Sequence, residues 1–505
     1  MLKQKIILSY YSKIVAQIFQ VAATVIVARI AGASVLGTVA FGVAYVSMFI
    51  FISDLGLGTA HIKLVSEGRD EASCNATFIR VQTIQIIVFF VFVLGFFLFQ
   101  KYTLGYGFES PVHEQVILVT LIAVTLSRGQ LIFKTCFMAK TEQAKQDVLD
   151  FAELVVYQLL RVAVVLLGYQ ALALAFSKLV AALLVIPFYL YLFKDFPVGR
   201  FDRNLLKEYV SISLPLIIIV FADSLTTHFD KVLLQYFTNS TEVGYYIAGF
   251  RVGAFISLVG YSVGLLLFPS FSRAISQKDY NGINGIIRKF EKFSLTYIFP
   301  VTVIMSIYSD TIVHLLLGNQ FEKTIPILSI INITAFLLTL FTPYGNVLAG
   351  SGEFKIIAKI YCVHLLLFIL AAVVTLSPNL LNLSGFGLAL SLFFSNLLRG
   401  CLFIFFVRMK IKRIRILPAF RLLVFGTLIS LAAGYAYWHL RMAPYQKALF
   451  ALTYFCVYWG LGAIFKLIDR QDWEMLTELV RIKKLSDYIK SEISHTDHRD
   501  RRKEE

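Results

Sequence analysis

Apolar residues run through this chain in long stretches separated by short polar breaks, from Ile14 to Ile468. A helix needs about 20 consecutive apolar residues to cross a bilayer. Reading the runs against charged or Gly/Pro/Asn breaks predicts spans near 14–32, 38–60, 79–103, 114–138, 148–168, 170–194 and 209–236, then near 244–270, 290–317, 325–350, 355–377, 385–408, 417–440 and 447–468. The expected fold class is therefore all-α, a polytopic membrane protein of about 14 transmembrane helices that leaves no room for a soluble domain.

Charge then orients the spans. With the N-terminus inside, the breaks facing the cytoplasm collect the bases: Lys140 and Lys145; Lys194, Arg200, Arg203 and Lys207; Arg273, Lys278, Arg288, Lys289 and Lys292; Arg408, Lys410, Lys412, Arg413 and Arg415. The opposite breaks hold only Lys101, Lys323, Arg441 and Lys447. This is the positive-inside asymmetry, and it alternates correctly only for this span count. Both termini are expected in the cytoplasm, and the membrane is expected to be the inner, cytoplasmic one. The charged break at 195–208 separates six spans from the next six. The organisation expected is an N-terminal six-helix lobe over 1–200, a C-terminal six-helix lobe over 201–410, helices 13 and 14 over 411–468, and a cytoplasmic amphipathic tail over 469–505. In that tail Trp473, Leu476, Val480, Leu485, Ile489 and Ile493 recur among Lys and Glu, as on a helix lying at a membrane surface. A short internal echo supports the seam. Ser34-Val35-Leu36-Gly37 with Gly42 corresponds at a fixed offset to Thr241-Glu242-Val243-Gly244 with Gly249, as in parallel repeats.

Composition agrees with the pattern: of 505 residues 58% are hydrophobic and 15% charged, and the mean hydropathy is +0.74. The net charge of +16 would point to nucleic acid in a soluble protein, but here the bases sit in cytoplasmic breaks and no nucleic-acid partner is expected. Five scattered cysteines without C-x-x-C spacing indicate neither a disulfide framework nor a zinc site. Lys3 and Lys5 precede an apolar run, the outline of a signal peptide, but Lys13, Gln17 and Gln20 interrupt it, and a permanent helix is the expectation. No G-x-x-x-x-G-K-[ST] loop is present, so ATP hydrolysis is not indicated.

Ionisable groups inside a span are costly and usually face a partner or a wet cavity. Arg29, Arg161, Lys178, Lys231, Arg251 and Arg399 fall within spans and are candidates for a cationic cavity. Arg29 can equally snorkel to the outer interface. On the first helix Lys13, Gln17, Gln20 and Thr24 form a polar stripe. On the eighth, Gly249, Gly253, Ser257, Gly260 and Gly264 share a small-residue face that would let a second helix approach closely, with Arg251 pointing elsewhere. Asp223 and Asp230 on the seventh helix, and Asp54 toward the inner end of the second, are candidates to hold a coupling proton or sodium ion. Neutralising a nearby base is the competing reading for the seventh-helix pair. No catalytic residue, metal site or bound cofactor is expected.

Ala28-Arg29-Ile30 followed by Leu36-Gly37, Asp54-Leu55-Gly56-Leu57, Pro215, Asp230-Lys231 and Val243-Gly244-Tyr245-Tyr246 together resemble the polysaccharide and O-antigen repeat-unit flippases of the multidrug/oligosaccharidyl-lipid/polysaccharide (MOP) exporter superfamily. Fourteen spans resemble its lipid II flippase branch. The resemblance covers about the first 400 residues. It implies two six-helix lobes around a central cavity, alternating access, and a polyprenyl-pyrophosphate-linked oligosaccharide carried from the cytoplasmic to the outer leaflet for polysaccharide export. In the lipid II branch the extra helix pair helps form a lipid-tail groove, which residues 417–468 would supply here. A pyrophosphate calls for cationic partners, which Arg251, Lys178, Arg161 and Arg29 would provide. The expected partners are this glycolipid, membrane lipids and glycan-assembly enzymes, with the chain acting as a monomer. Cation-coupled multidrug efflux is the alternative, kept open by the acidic face of the seventh helix. A membrane glycosyltransferase or polymerase is less well supported, since outer breaks are short and no D-x-D motif stands out.

Overall fold

A computed structural model describes residues 2–103, 108–411, 414–415, 419–440 and 442–468, and among these the regular structure is entirely helical. The amphipathic tail expected over 469–505 lies outside the described residues. In lipid every backbone polar group must be satisfied within its own segment, so helix is what such runs must form.

All fourteen predicted spans fall on helix. The first two share α1 (Leu2–Ser47), interrupted at the single residue Gly32 with φ 81 and ψ 175, a conformation that glycine reaches without a Cβ clash. The second span continues through a 3₁₀ turn (Ile50–Ser53) into α2 (Leu57–Ser66), with Asp54 in the break between them. Then come α3 (Glu71–Tyr102), α4 (Pro111–Ala139), α5 (Gln143–Leu166), α6 (Ala171–Phe193), α7 (Arg203–Phe237) and α8 (Ser240–Ser276). The ninth span is segmented into α9 (Tyr280–Phe293), a π-helical turn (Ser294–Ile298), α10 (Phe299–Ile307) and α11 (Ser309–Leu316). Beyond it lie α12 (Thr324–Gly350), α13 (Phe354–Leu376), α14 (Ser384–Lys410), α15 (Phe420–His439) and α16 (Pro444–Ile464).

Ten helices among the described residues are long and apolar enough to cross a membrane, or eleven when the two parts of α7, bent by 55°, count as one span. The break falls at Pro215, which cannot donate the helical hydrogen bond. The other three predicted spans are the second part of α1, α5 and α8. Asp150, Glu153 and Arg161 make α5 too charged for composition alone to identify it, and the middle of α8 is described for its backbone only.

The chain divides into two compact units. The larger comprises Ser9–Ile286 and Thr302–Ile416, and so contains both six-helix groups except the segment Ile287–Val301 of the ninth span. One apolar core joins α2 to α6 with the start of α7 through Phe78, Phe137, Tyr189, Leu205 and Tyr209, and another joins the end of α7 to α8, α12, α13 and α14 through Leu234, Tyr246, Ile327, Phe368 and Leu388. Helix α7 thus belongs to both. Its first turns pack on the N-terminal group, where Tyr209 shares a 2.6 Å hydrogen bond with buried His61. The glycine face of α8 meets α12: a Cβ on Gly253 would stand 2.8 Å from the Ile331 side chain, and one on Gly249 3.2 Å from that of Thr324.

The smaller unit groups α15 and α16 with Ile287–Val301. A π-helical turn leaves carbonyls off the regular ladder. Here Tyr458 Oη donates to the Leu295 carbonyl at 2.6 Å, and Trp459 Nε1 to that of Thr296 at 2.9 Å. Glu291 accepts the backbone N–H of Ala419, just before α15, at 3.1 Å.

Candidate substrate site

At one end of the larger unit the two six-helix groups are sewn together. A Cβ on Gly37 would lie 1.7 Å from the Ser240 carbonyl oxygen, and one on Gly244 1.9 Å from that of Ala33. The backbones touch, so no other residue fits at either position. These are the glycines that the internal echo places in equivalent positions of the two halves. Around them Val27, Ala28, Ala33, Leu36, Val165, Leu174, Ile247, Ala248, Val252, Val313, Leu317 and Phe321 form one buried apolar cluster. Polar contacts rim it. Glu109 accepts from the Ser240 N–H at 2.8 Å and from the Ser240 hydroxyl, and His113 Nε2 lies 2.9 Å from Ser240 Oγ. The end of the bundle containing Gly32 is sealed.

One helical turn below this seal the chemistry changes from apolar to cationic. Arg161 lies four residues before Val165 on α5, Lys178 four after Leu174 on α6, and Arg251 four after Ile247 on α8. Spacing of four keeps residues on one helix face, so the three helices that supply the seal also present the bases. Tyr157 ties them together: the Arg161 guanidinium lies 5.4 Å from its ring centre and the Lys178 ammonium 5.3 Å. Arg251 feels the charge of Arg161 and the Tyr157 hydroxyl. Lys178 is neutralised by Glu153 at 3.3 Å. Arg161, 9% exposed, donates to the amide oxygen of Gln158 at 2.8 Å. Among the described residues neither Arg161 nor Arg251 has a carboxylate within 4.0 Å, and Arg251 is largely buried in the field of Arg161. A guanidinium inside a span calls for a polar partner or water. Two like charges near one another raise that cost and favour an anion beside them.

The other candidates lie elsewhere. Arg29 donates Nε to the Leu316 carbonyl at 2.8 Å and Nη2 to that of Leu315, capping the C-terminus of α11. Lys231 clasps Asp230 at 2.8 and 2.9 Å and donates to the Thr227 carbonyl, while Tyr246 donates to Asp230 at 2.9 Å, a closed buried network. Asp54 pairs with Arg128 at 3.1 Å. Asp223 is exposed on α7 and lies in the field of Arg399, with no ion pair within 4.0 Å among the described residues. Arg399 lines a separate cavity between α12, α13 and α14. On the polar stripe of α1, Thr24 is buried and the Gln17 amide nitrogen is buried without a partner.

Sequence reasoning passed over Arg128 and Lys134, although both fall inside the predicted fourth span. Both are paired, Lys134 with Asp150 at 2.6 Å. It also passed over His364, 1% exposed with both ring nitrogens unpartnered. Position within a span was the signal available for all three.

A two-group membrane bundle with a sealed end and a basic cluster only partly neutralised beneath the seal defines the class: a polytopic transporter. The family model for polysaccharide biosynthesis proteins matches residues 26–326, more than half of the chain. The protein belongs to that family. An uncharacterised membrane protein of Methanocaldococcus jannaschii is 24% identical over 161 residues, 32% of this chain and 32% of the relative, so the chain spans about a third of that relative's length in the match. Among solved structures, the lipid II flippase MurJ in an inward closed conformation superposes with a TM-score of 0.73 at 12% identity, covering 91% of this chain and 99% of that one. An inward-facing multidrug resistance MATE family transporter of the MOP superfamily gives 0.66 at 12% identity, covering 79% and 94%. At such identities the likeness establishes a shared fold.

Proposed function

We propose that this protein is a flippase that carries a polyprenyl-pyrophosphate-linked oligosaccharide from the cytoplasmic to the outer leaflet of the inner membrane, for polysaccharide export, by alternating access and without covalent chemistry. The observation that carries this reading is the pair of unneutralised guanidiniums, Arg161 and Arg251, one turn below the apolar seal. A pyrophosphate would bridge them through charge-assisted hydrogen bonds, worth more than neutral ones inside a low-dielectric site. Family membership supplies the pathway in which such a lipid arises, and the lipid II flippase is a relative in fold with a substrate of this chemistry.

In the orientation set by the positive-inside asymmetry, the Gly32 end faces outward. The cluster then loads from the cytoplasm, from the enzymes that assemble the glycan, while the seal excludes the outside. Release requires the contact between Gly37 and Gly244 to part. Of the three acidic candidates for coupling, Asp54 and Asp230 are engaged in close ion pairs, so Asp223 is the residue proposed to hold a proton or sodium ion. The chain is proposed to act as a monomer.

Cation-coupled drug efflux is the second reading, favoured by the likeness to a MATE family transporter and by the exposed Asp223. Two guanidiniums without a carboxylate partner oppose it, because an organic cation would add to their repulsion. The purified full-length protein in proteoliposomes, given a fluorescent undecaprenyl-pyrophosphate oligosaccharide, tests the choice. Loss of leaflet exchange in Arg251→Ala with normal protein yield supports the flippase. Exchange equal to protein-free vesicles in the unaltered protein, together with proton- or sodium-driven uptake of an organic cation, would sink it.

A further inference from the structure

The cavity between α12, α13 and α14 measures about 430 Å³, within the size range of small-molecule sites. It sits in the half of the larger unit remote from the seal. Helix α12 starts at Thr324, whose side chain donates to the Tyr245 carbonyl beside the Gly244 contact, and the cavity residues Thr339 to Ala349 follow 15 to 25 residues later, about 22–38 Å along the axis at the helical rise. Two glycines sit in its wall. A Cβ on Gly400 would lie 2.0 Å from the Phe341 ring, so that ring rests against bare backbone, and Gly345 similarly faces the Phe403 ring at 3.7 Å.

The lining is largely apolar, with a few polar groups set into it, Arg399, Asn396, Tyr361 and two threonines among them. The Arg399 guanidinium lies 5.5 Å from the Tyr361 ring centre and has no carboxylate within 4.0 Å among the described residues. Asn396 uses its amide N–H on the Leu392 carbonyl at 2.8 Å, which leaves its side-chain oxygen to accept from a ligand. Asn346 adds a second amide to the wall. His364, 1% exposed and without a hydrogen-bond partner, lies in the field of Arg399, as does Asp223.

We infer that this cavity is a saccharide subsite that takes a carboxylate-bearing sugar of the lipid-linked glycan. The guanidinium fork matches a carboxylate, the Asn396 side-chain oxygen meets a ring hydroxyl, and Phe341 and Phe403 offer flat apolar faces to the C–H side of the ring. One cation answers one carboxylate rather than a more highly charged group such as pyrophosphate. An organic cation would meet Arg399 unfavourably. This inference rests on the flippase reading and goes beyond it by naming the sugar class.

The test uses full-length protein in proteoliposomes and two fluorescent probes, undecaprenyl-pyrophosphate disaccharides ending in glucuronate or in glucose. The native protein should exchange the acidic probe about tenfold faster, the effect of one charge-assisted hydrogen bond. Arg399→Gln should erase the preference, bringing the ratio of acidic to neutral rates to about one, with Arg399→Lys between. Thermal stabilisation by millimolar free glucuronate-terminated disaccharide should appear in the native protein and vanish in Arg399→Gln, a readout that does not need turnover. Equal rates for the two probes in the native protein, or equal slowing of both by Arg399→Gln, overturns the inference. Protein-free vesicles separate the two ideas: exchange of both probes by the native protein no faster than in such vesicles fails the flippase reading itself, whereas Arg251→Ala should slow both probes alike and leave their ratio unchanged.

Discussion

Whether a base inside a membrane span binds a ligand or stabilises the fold depends on what its charge meets. Arg161 and Arg251 meet no carboxylate within 4.0 Å among the described residues, and Arg251 lies in the field of Arg161. Removing either guanidinium takes away charge-assisted hydrogen bonds worth about 1.5–3 kcal/mol, so Arg161→Ala and Arg251→Ala should each slow exchange of an undecaprenyl-pyrophosphate probe by roughly 10- to 100-fold. Detergent melting temperatures should hold or rise, because like-charge repulsion is relieved. Arg29 meets two main-chain carbonyls at the end of α11, so Arg29→Ala should lower the melting temperature and leave transport per folded molecule within about twofold; a loss of transport comparable to that of Arg251→Ala would place Arg29 in the site after all. Lys231 meets a carboxylate that is 2% exposed. Lys231→Met leaves that charge stranded, at a cost of about 3–5 kcal/mol, and Asp230→Asn in the same chain should recover most of the lost thermal stability. If the double variant melts no higher than the single one, the pair does not act as a closed network.

At the scale of elements, α1 and α8 approach to backbone contact through Gly37 and Gly244, and only residues without a Cβ permit this. The contact belongs to the sealed state alone, so a methyl there biases the equilibrium without touching the basic cluster. Gly37→Ala should favour the state with the Gly32 end open. A cysteine placed at Leu36, 6% exposed in the sealed state, should react faster with a membrane-impermeant maleimide added outside, while transport falls. Unchanged labelling would show that the contact is not a gate. The bend of 55° in α7 has a related consequence, since it lets one helix pack first on the N-terminal group and then on the C-terminal one. The seam expected at 195–208 therefore lies before a helix shared by both groups.

For the whole molecule, two six-helix groups closed at one end and lined with only partly neutralised bases beneath the closure suit a carrier that exposes its site to one side at a time. A shift between two such states requires a substrate to bind them with different affinity, and a seal built from apolar side chains and touching backbones is bistable in the way packed interfaces are. The spans were readable from residue order because lipid cannot satisfy a backbone amide, so hydrophobic length alone dictates helix. At α5, one of the three spans where that reading and a purely compositional count differ, the cause is the charged side chains Asp150, Glu153 and Arg161.

The site was legible only in part. Arg161, Lys178 and Arg251 were marked as candidates because each stands inside a span, yet Arg29 and Lys231 carried the same mark, and Arg128 and Lys134 met the same criterion. Residue order alone determined the helices, their predicted orientation, the repeat that pairs Gly37 with Gly244, and the presence of costly interior charge. Tertiary structure decided which of those charges are neutralised. Pairing depends on the approach of helices distant in sequence, Glu153 to Lys178, Asp54 to Arg128, the end of α11 to Arg29, and no local pattern encodes a distance across the bundle.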